Sequence, residues 1–284
     1  LEDYRAKANR KEEIMKKNIL SSVASLFVFV VPSLAMEKIS LDGLWDFRLE
    51  KDCQLESVNL PKFTPDAKMT VPGCWNSMSR YYNQHGTGCY KTSFSLNEDV
   101  LNAFLVVEGF GLRMKVWVDG REIGYSALPW STVEFQTGPL KAGVHELVAA
   151  IDSIVDAKKT KMFRDTYDFY PFGGFYHGVS LELQHKKTEL RKVVVRTRDY
   201  KTGLVELEAL FEGESLNDFK AYVAFDDLPP KEVEFVGRRA KLEVPDFRLW
   251  SHKQPNLHHV SVSVEGAGSA KERFGIRQVS TANG

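Results

Sequence analysis

From Ile39 onward the chain is written in short apolar or alternating runs, each closed by a turn signal. AFLVVEGF (103–110), KVWVDG (115–120) and HELVAAID (145–152) are typical. A two-residue repeat sends successive side chains to opposite faces of a strand, so the pattern specifies an all-β chain. Asp119-Gly120, between KVWV and REIGYS, is a two-residue hairpin signal, because Gly adopts positive φ freely and Asp tolerates it. Lys141-Ala142-Gly143 marks another turn. The first set of strands ends near VSLELQ (179–184), which predicts a jelly-roll β-sandwich over 36–185. A second β region carries KVVVRTRD (192–199), GLVELEALFEG (203–213), KAYVAFDD (220–227) and HHVSVSVEG (258–266). Its size and about seven expected strands suit an immunoglobulin-like β-sandwich over 186–278, although no Cys-Trp-Cys signature is present. There Val205, Leu207, Ala209 and Phe211 fall on one strand face and Glu206, Glu208 and Glu212 on the other, which reads these carboxylates as solvating charges rather than catalytic groups.

Lys plus Arg and Asp plus Glu both number 38, so no global field would draw the chain to nucleic acid. With 284 residues, 43% of them hydrophobic, it can bury ordinary cores in about two domains. At the N-terminus, Met15-Lys16-Lys17 precedes an apolar run from Ile19 to Val31 and then PSLA, ending at Ala35. This is the grammar of a signal peptide over 15–35 cleaved after Ala35, with a retained membrane anchor as the alternative. It predicts a periplasmic or secreted protein. Residues 1–14 read as an upstream extension outside the fold. Three cysteines, Cys53, Cys74 and Cys89, imply no disulfide framework. Buried free thiols are expected, with a Cys74 to Cys89 bridge as the alternative. His258 and His259 are adjacent in a strand-like run, point to opposite faces and cannot share a metal, so no metal or other cofactor is expected.

DFYPFGGFYHGV (168–179) gathers aromatics around two glycines just before a strand. Gly173 and Gly174 permit positive φ and close approach of a chain or ligand, while Phe169, Tyr170, Phe172, Phe175 and Tyr176 offer flat apolar faces. Two readings stand: a sugar-facing loop, or a sandwich corner whose aromatics plug the core. Trp45 and Trp75 sit where core burial is expected, and Trp130, after Pro129 in LPWSTVEF, is a binding candidate if exposed.

Further motifs run in order through the chain: SLDGLWDFRL (40–49), VPGCWN (71–76), TGCYKTSF (87–94), VWVDGREIGYS (116–126), LWSHKQPNLHHVSVSV (249–264) and ERFGIRQVS (272–280). Together they resemble the front half of family-2 glycoside hydrolases, the β-galactosidases, β-glucuronidases and β-mannosidases. The resemblance implies a sugar-binding jelly roll, then an immunoglobulin-like module, then a junction at 279–284 into a catalytic (β/α)₈ barrel. Retaining hydrolysis uses two carboxylates about 5 Å apart, which the family takes from that barrel of ~250 residues, so this chain is expected to be inactive alone and to have the barrel as its partner. Asn97-Glu98 could pass for the family's acid/base pair but sits between strand-like runs and reads as a turn. In the β-galactosidase branch the segment matching DFYPFGG contributes an Asp to the sugar subsite, and Asp168 holds that position, next to Tyr170. The family's sugar-contacting Asn matches Asn76 or Asn83 loosely. The implied function is support of the barrel and closure of the sugar subsite in an exported β-glycosidase acting on carbohydrate; a free-standing carbohydrate-binding sandwich protein is the alternative. An exposed apolar face is expected on the second sandwich, where a barrel would dock.

Overall fold

The computed structural model describes residues 35–51, 53–57, 63–156, 158–159 and 170–281. The upstream extension, nearly all of the signal-like run, and Asp168 with Phe169 lie outside the described residues. Within them the regular elements are strands and short 3-10 turns, so the all-β expectation holds.

In chain order the first sandwich contains β1 (Glu37–Ser40), β2 (Gly43–Lys51), β3 (Ala67–Val71), β4 (Gly73–Cys74), β5 (Gly86–Leu96), β6 (Asn102–Val107), β7 (Arg113–Val118), β8 (Arg121–Ser126), β9 (Val133–Gln136), β10 (Gly143–Asp152), β11 (Gly174–Phe175) and β12 (Val179–Gln184). A six-stranded sheet, β3-β2-β5-β10-β7-β8, faces a four-stranded one, β1-β12-β6-β9. Within each sheet neighbouring strands are antiparallel. First and last strands pair, Glu37 opposite Leu183, which closes the jelly roll. Alternate residues from both sheets meet inside: Phe47, Tyr90, Met114, Val116, Leu147 and Ile151 from one, Ala103, Leu105, Val107 and Leu181 from the other. Trp45 and Trp75 are buried in this core as expected. Their indole N–H groups donate to Leu41 O at 2.8 Å and Gln84 O at 3.1 Å, which removes the cost of burying a polar atom unpaired.

The six-stranded sheet also has an apolar stripe on its outer face. Cys89, Trp117, Val148 and Ala150 pack there against Leu55 and the partly buried Phe63, which come from the excursion between β2 and β3. Cys74 and Cys89 are free thiols. Burial pushes the Cys89 thiol up to about 12, with Glu50 acting in the same direction.

The second sandwich contains β13 (Thr188–Asp199), β14 (Leu204–Gly213), β15 (Phe219–Phe225), β16 (Lys231–Phe235), β17 (Arg239–Glu243), β18 (His258–Val264) and β19 (Gly268–Phe274). Its sheets are β13-β14-β17 and β16-β15-β18-β19. Val205, Leu207 and Ala209 point into its core, joined by Val223, Phe235, Val260 and Val262. Their polar-side partners are not simply solvated, which corrects the sequence reading. Glu206 accepts from Arg198 at 2.6 Å, and Glu208 is held by Arg196 and Arg239. The register of β13 and β17 brings these arginines across β14, and both carboxyls are held below the usual range by them. Asn97 and Glu98 form a bend after β5, and Glu98 lies 3.3 Å from His185. Leu228, Leu249 and Leu257 are exposed on the second sandwich.

Candidate functional site

The aromatic loop is built onto the first sandwich by a small two-stranded sheet. β4 and β11 pair through Cys74 opposite Gly174 and Gly73 opposite Phe175. After β4 the chain turns through a 3-10 turn at Trp75–Ser77 and another at Ser79–Tyr81. Trp75 N–H donates to Gly173 O at 3.1 Å, so the turn and the loop are stitched backbone to backbone.

The glycines serve this stitching. A Cβ on Gly173 would lie 1.8 Å from the Trp75 ring, and one on Gly174, at φ 131°, would lie 2.2 Å from Gly73 O. The close approach anticipated from sequence is therefore made by the protein's own core. Phe175 is likewise buried, against Trp45 and Tyr90. The core-plug reading holds for Gly173, Gly174 and Phe175, which pack inside the sandwich, whereas Phe172 is exposed and Tyr170 and Tyr176 are half-buried.

Asn76 is buried and links three segments. Its Oδ1 accepts Gly173 N–H at 2.7 Å, and its Nδ2 donates to Gln84 O at 2.6 Å and to the Tyr170 hydroxyl at 3.2 Å. The amide's acceptor and both donor contacts are occupied by protein, so Asn76 orients Tyr170 from behind. The Tyr170 ring lies 5.1 Å from that of His85 and 4.7 Å from that of Phe172, centroid to centroid. Asn83 is exposed in a turn with φ 56°. Trp130 is 51% exposed, which satisfies the condition set for it as a binding candidate. The Tyr176 hydroxyl donates to Phe172 O. Burial raises the Tyr176 hydroxyl's pKa far enough that it stays a protonated donor at any ordinary pH.

Sequence reasoning missed the charged base of this region. Arg113 and Asp152, at the start of β7 and the end of β10, form a fully buried ion pair, and Glu56 reaches Arg113 at 3.0 Å. The pair fixes the point where the chain leaves β10 on its way to the loop. Its partners are far apart in sequence, and neither sits in a recognisable motif. Among the described residues no cluster of three or more His, Cys, Asp or Glu side chains is placed to hold a metal.

Fold and site together define a pair of all-β sandwich modules with a braced aromatic loop at one end of the first. Residues 178–277 match the model of glycosyl hydrolases family 2. A β-galactosidase of Clostridium acetobutylicum is 24% identical over 201 residues, covering 66% of this chain and 21% of that protein. One from Leuconostoc mesenteroides is 24% identical over 294 residues, covering 86% and 28%. Among solved structures, a β-glucuronidase of an uncultured Clostridium superposes with a TM-score of 0.71 at 20% identity, over 90% of this chain and 47% of its own. A family-2 β-galacturonidase of Eisenbergiella tayi bound to galacturonate gives 0.68 at 18% identity, over 87% and 44%. The two sandwiches have the fold of the front modules of these family-2 enzymes, and the family model matches the second sandwich. The chain spans about a quarter of the β-galactosidases it matches, 21% and 28%.

Proposed function

We propose that this chain is the non-catalytic, sugar-facing front part of an exported, β-galactosidase-like retaining glycosidase. Its role is to support the catalytic domain and close the sugar subsite, while that domain supplies the two carboxylates about 5 Å apart that retention needs. Export rests on the signal-like run over 15–35. The observation that carries the binding role is the grip of Asn76 on both Gly173 and Tyr170, which presents Tyr170, two residues after Asp168, in one fixed orientation. A tyrosine face suits a sugar because the ring covers C–H groups, and a carboxylate such as Asp168, two residues away in sequence, would accept hydroxyls in charge-assisted hydrogen bonds.

Saturation-transfer NMR of the chain with methyl β-D-galactopyranoside tests this. Transfer to the sugar is expected in the wild type and is lost in Tyr170→Ala and in Asp168→Ala. A wild-type chain that shows no transfer, or variants that retain it in full, would reject the subsite role.

A further inference from the structure

The outer face of the β13-β14-β17 sheet is charged in two layers. Val205, Leu207 and Ala209 of β14 point into the core, so Glu206 and Glu208 between them point outward. Register sets Arg196 and Lys241 on either side of Glu206, and Arg239 beside Glu208. Arg198 reaches Glu206 at 2.6 Å, while Arg196 and Arg239 both hold Glu208, the latter at 3.1 Å. The two carboxylates are recessed, with side chains 7% and 12% exposed, and Arg196, Arg198 and Arg239 stand above them at 46%, 46% and 55%. Lys192 and Lys241 share this face and form no ion pair among the described residues. Glu243, opposite Leu204, is the face's third carboxylate. On a chain whose charges balance, 38 against 38, the surplus of cations here is local.

The arginines are held ready for an anion. Each ties one edge of its guanidinium to a recessed carboxylate and keeps further N–H donors toward solvent. Forks fixed in this way lose little side-chain entropy when a ligand arrives. The cations of β13 and those of β17 are two strand spacings apart, about 10 Å, too far for a single carboxylate to bridge. The face therefore suits a chain with repeated negative charges. Strands β13 and β17 contain no aromatic residue, and Phe211 of β14 packs against the core, so the stacking surface that a single-stranded nucleic acid needs is missing.

We propose that the outer face of β13-β14-β17 docks an acidic polysaccharide, a chain of uronic-acid units whose carboxylates lie in the arginine forks and along Lys192 and Lys241. That the polyanion is a carbohydrate rests on the function proposed above. The face belongs to the second sandwich, a different module from the one that carries Tyr170, so it would hold a polymer independently of the sugar contact there.

The test uses the whole chain with sodium polygalacturonate, read by calorimetry at low and at high salt. Its fully methyl-esterified form keeps the backbone and removes the charge, and a thymidine oligonucleotide serves as the comparison polyanion. Polygalacturonate is expected to bind at low salt and more weakly as sodium chloride screens the contacts, and the ester is expected not to bind. Lys192→Gln combined with Lys241→Gln leaves every ion pair of the face in place. This double variant is expected to keep the unfolding midpoint of the wild type while weakening polygalacturonate roughly fivefold. Arg196→Lys, which keeps the charge and loses the fork, is expected to weaken it as well. No binding of polygalacturonate, equal binding of the ester or of the oligonucleotide, or full affinity in the double variant each overturns the proposal. Failure of the Tyr170 reading is separately visible, as absent saturation transfer to methyl β-D-galactopyranoside while polygalacturonate still binds.

Discussion

At the scale of single residues, the loop is decided by what fits against one indole ring. Trp75 lies flat in the core with Gly88 on one side, where a Cβ would come within 2.6 Å of the ring, and Gly173 on another, where it would come within 1.8 Å. A methyl group at Gly173 has nowhere to go, because the neighbours are a rigid ring and paired backbone. Gly173→Ala is therefore expected to destabilise the chain by about 1–3 kcal/mol, the usual range for overpacking. Urea unfolding measures it, and a midpoint within error of the wild type would contradict the packing described. The run FGGF was legible as special, because two adjacent glycines among aromatics demand an explanation. That the demand comes from Trp75, almost a hundred residues earlier in the chain, was not legible.

At the scale of elements, the two sandwiches repeat one joint. Asp119 and Asp226 each follow a strand with positive φ, 50° and 49°. Each carboxylate takes the backbone N–H of a residue on the neighbouring strand, Glu146 and His259, at 2.9 and 2.8 Å, and the Nδ1 of the preceding histidine, His145 and His258, at 2.7 and 2.8 Å. The turn at Asp119-Gly120 was foreseen from the dipeptide, and the opposite faces of His258 and His259 from strand period. The histidine clamps were not, since the partner lies on a strand brought alongside only by folding. At His145 both ring nitrogens face acceptors, the Asp119 carboxylate and Lys141 O at 2.8 Å. Partial burial disfavours the charged ring, but these bonds outweigh it and hold the His145 pKa above the ordinary 6.5. A raised folded-state pKa stabilises the fold fully below 6.5, and that contribution is lost as pH rises through the folded value. Stability is thus expected to fall as pH rises above about 6.5 in the wild type, and His145→Gln is expected to flatten that fall. Urea midpoints across the range read it out; parallel profiles would assign the slope elsewhere.

At the scale of the whole molecule, one arginine joins the sandwiches. Arg191 on β13 lays its guanidinium 3.8 Å from the centre of the Phe104 ring on β6. It also reaches Glu182 at 3.1 Å and Glu134 at 3.0 Å in the first sandwich, and Glu212 at 3.9 Å in the second. A planar guanidinium fork suits such a junction, because it stacks on an aromatic face while its edges serve several carboxylates. Arg191→Ala is expected to cost about 2 kcal/mol, with the stacked and partly desolvated cation providing most of it. It should also broaden the distance distribution between spin labels on the exposed Asn97 and Lys271, one in each sandwich. A distribution as narrow as that of the wild type would show that other contacts set the angle between the modules.

What the sequence determined by itself is whatever the chain states locally. Period-two alternation, the Asp-Gly turn and the ordered motifs were enough for two β-sandwiches and for the resemblance to family-2 enzymes, because strand faces and tight turns are settled by residues within a few positions of one another. Tertiary structure alone decided which aromatics of the loop are core and which are surface. It also decided that Asn76 braces Tyr170 and that Glu206 and Glu208 lie under arginines. Each of these depends on strand register and on which distant segments the sheets bring together, information that no local pattern carries.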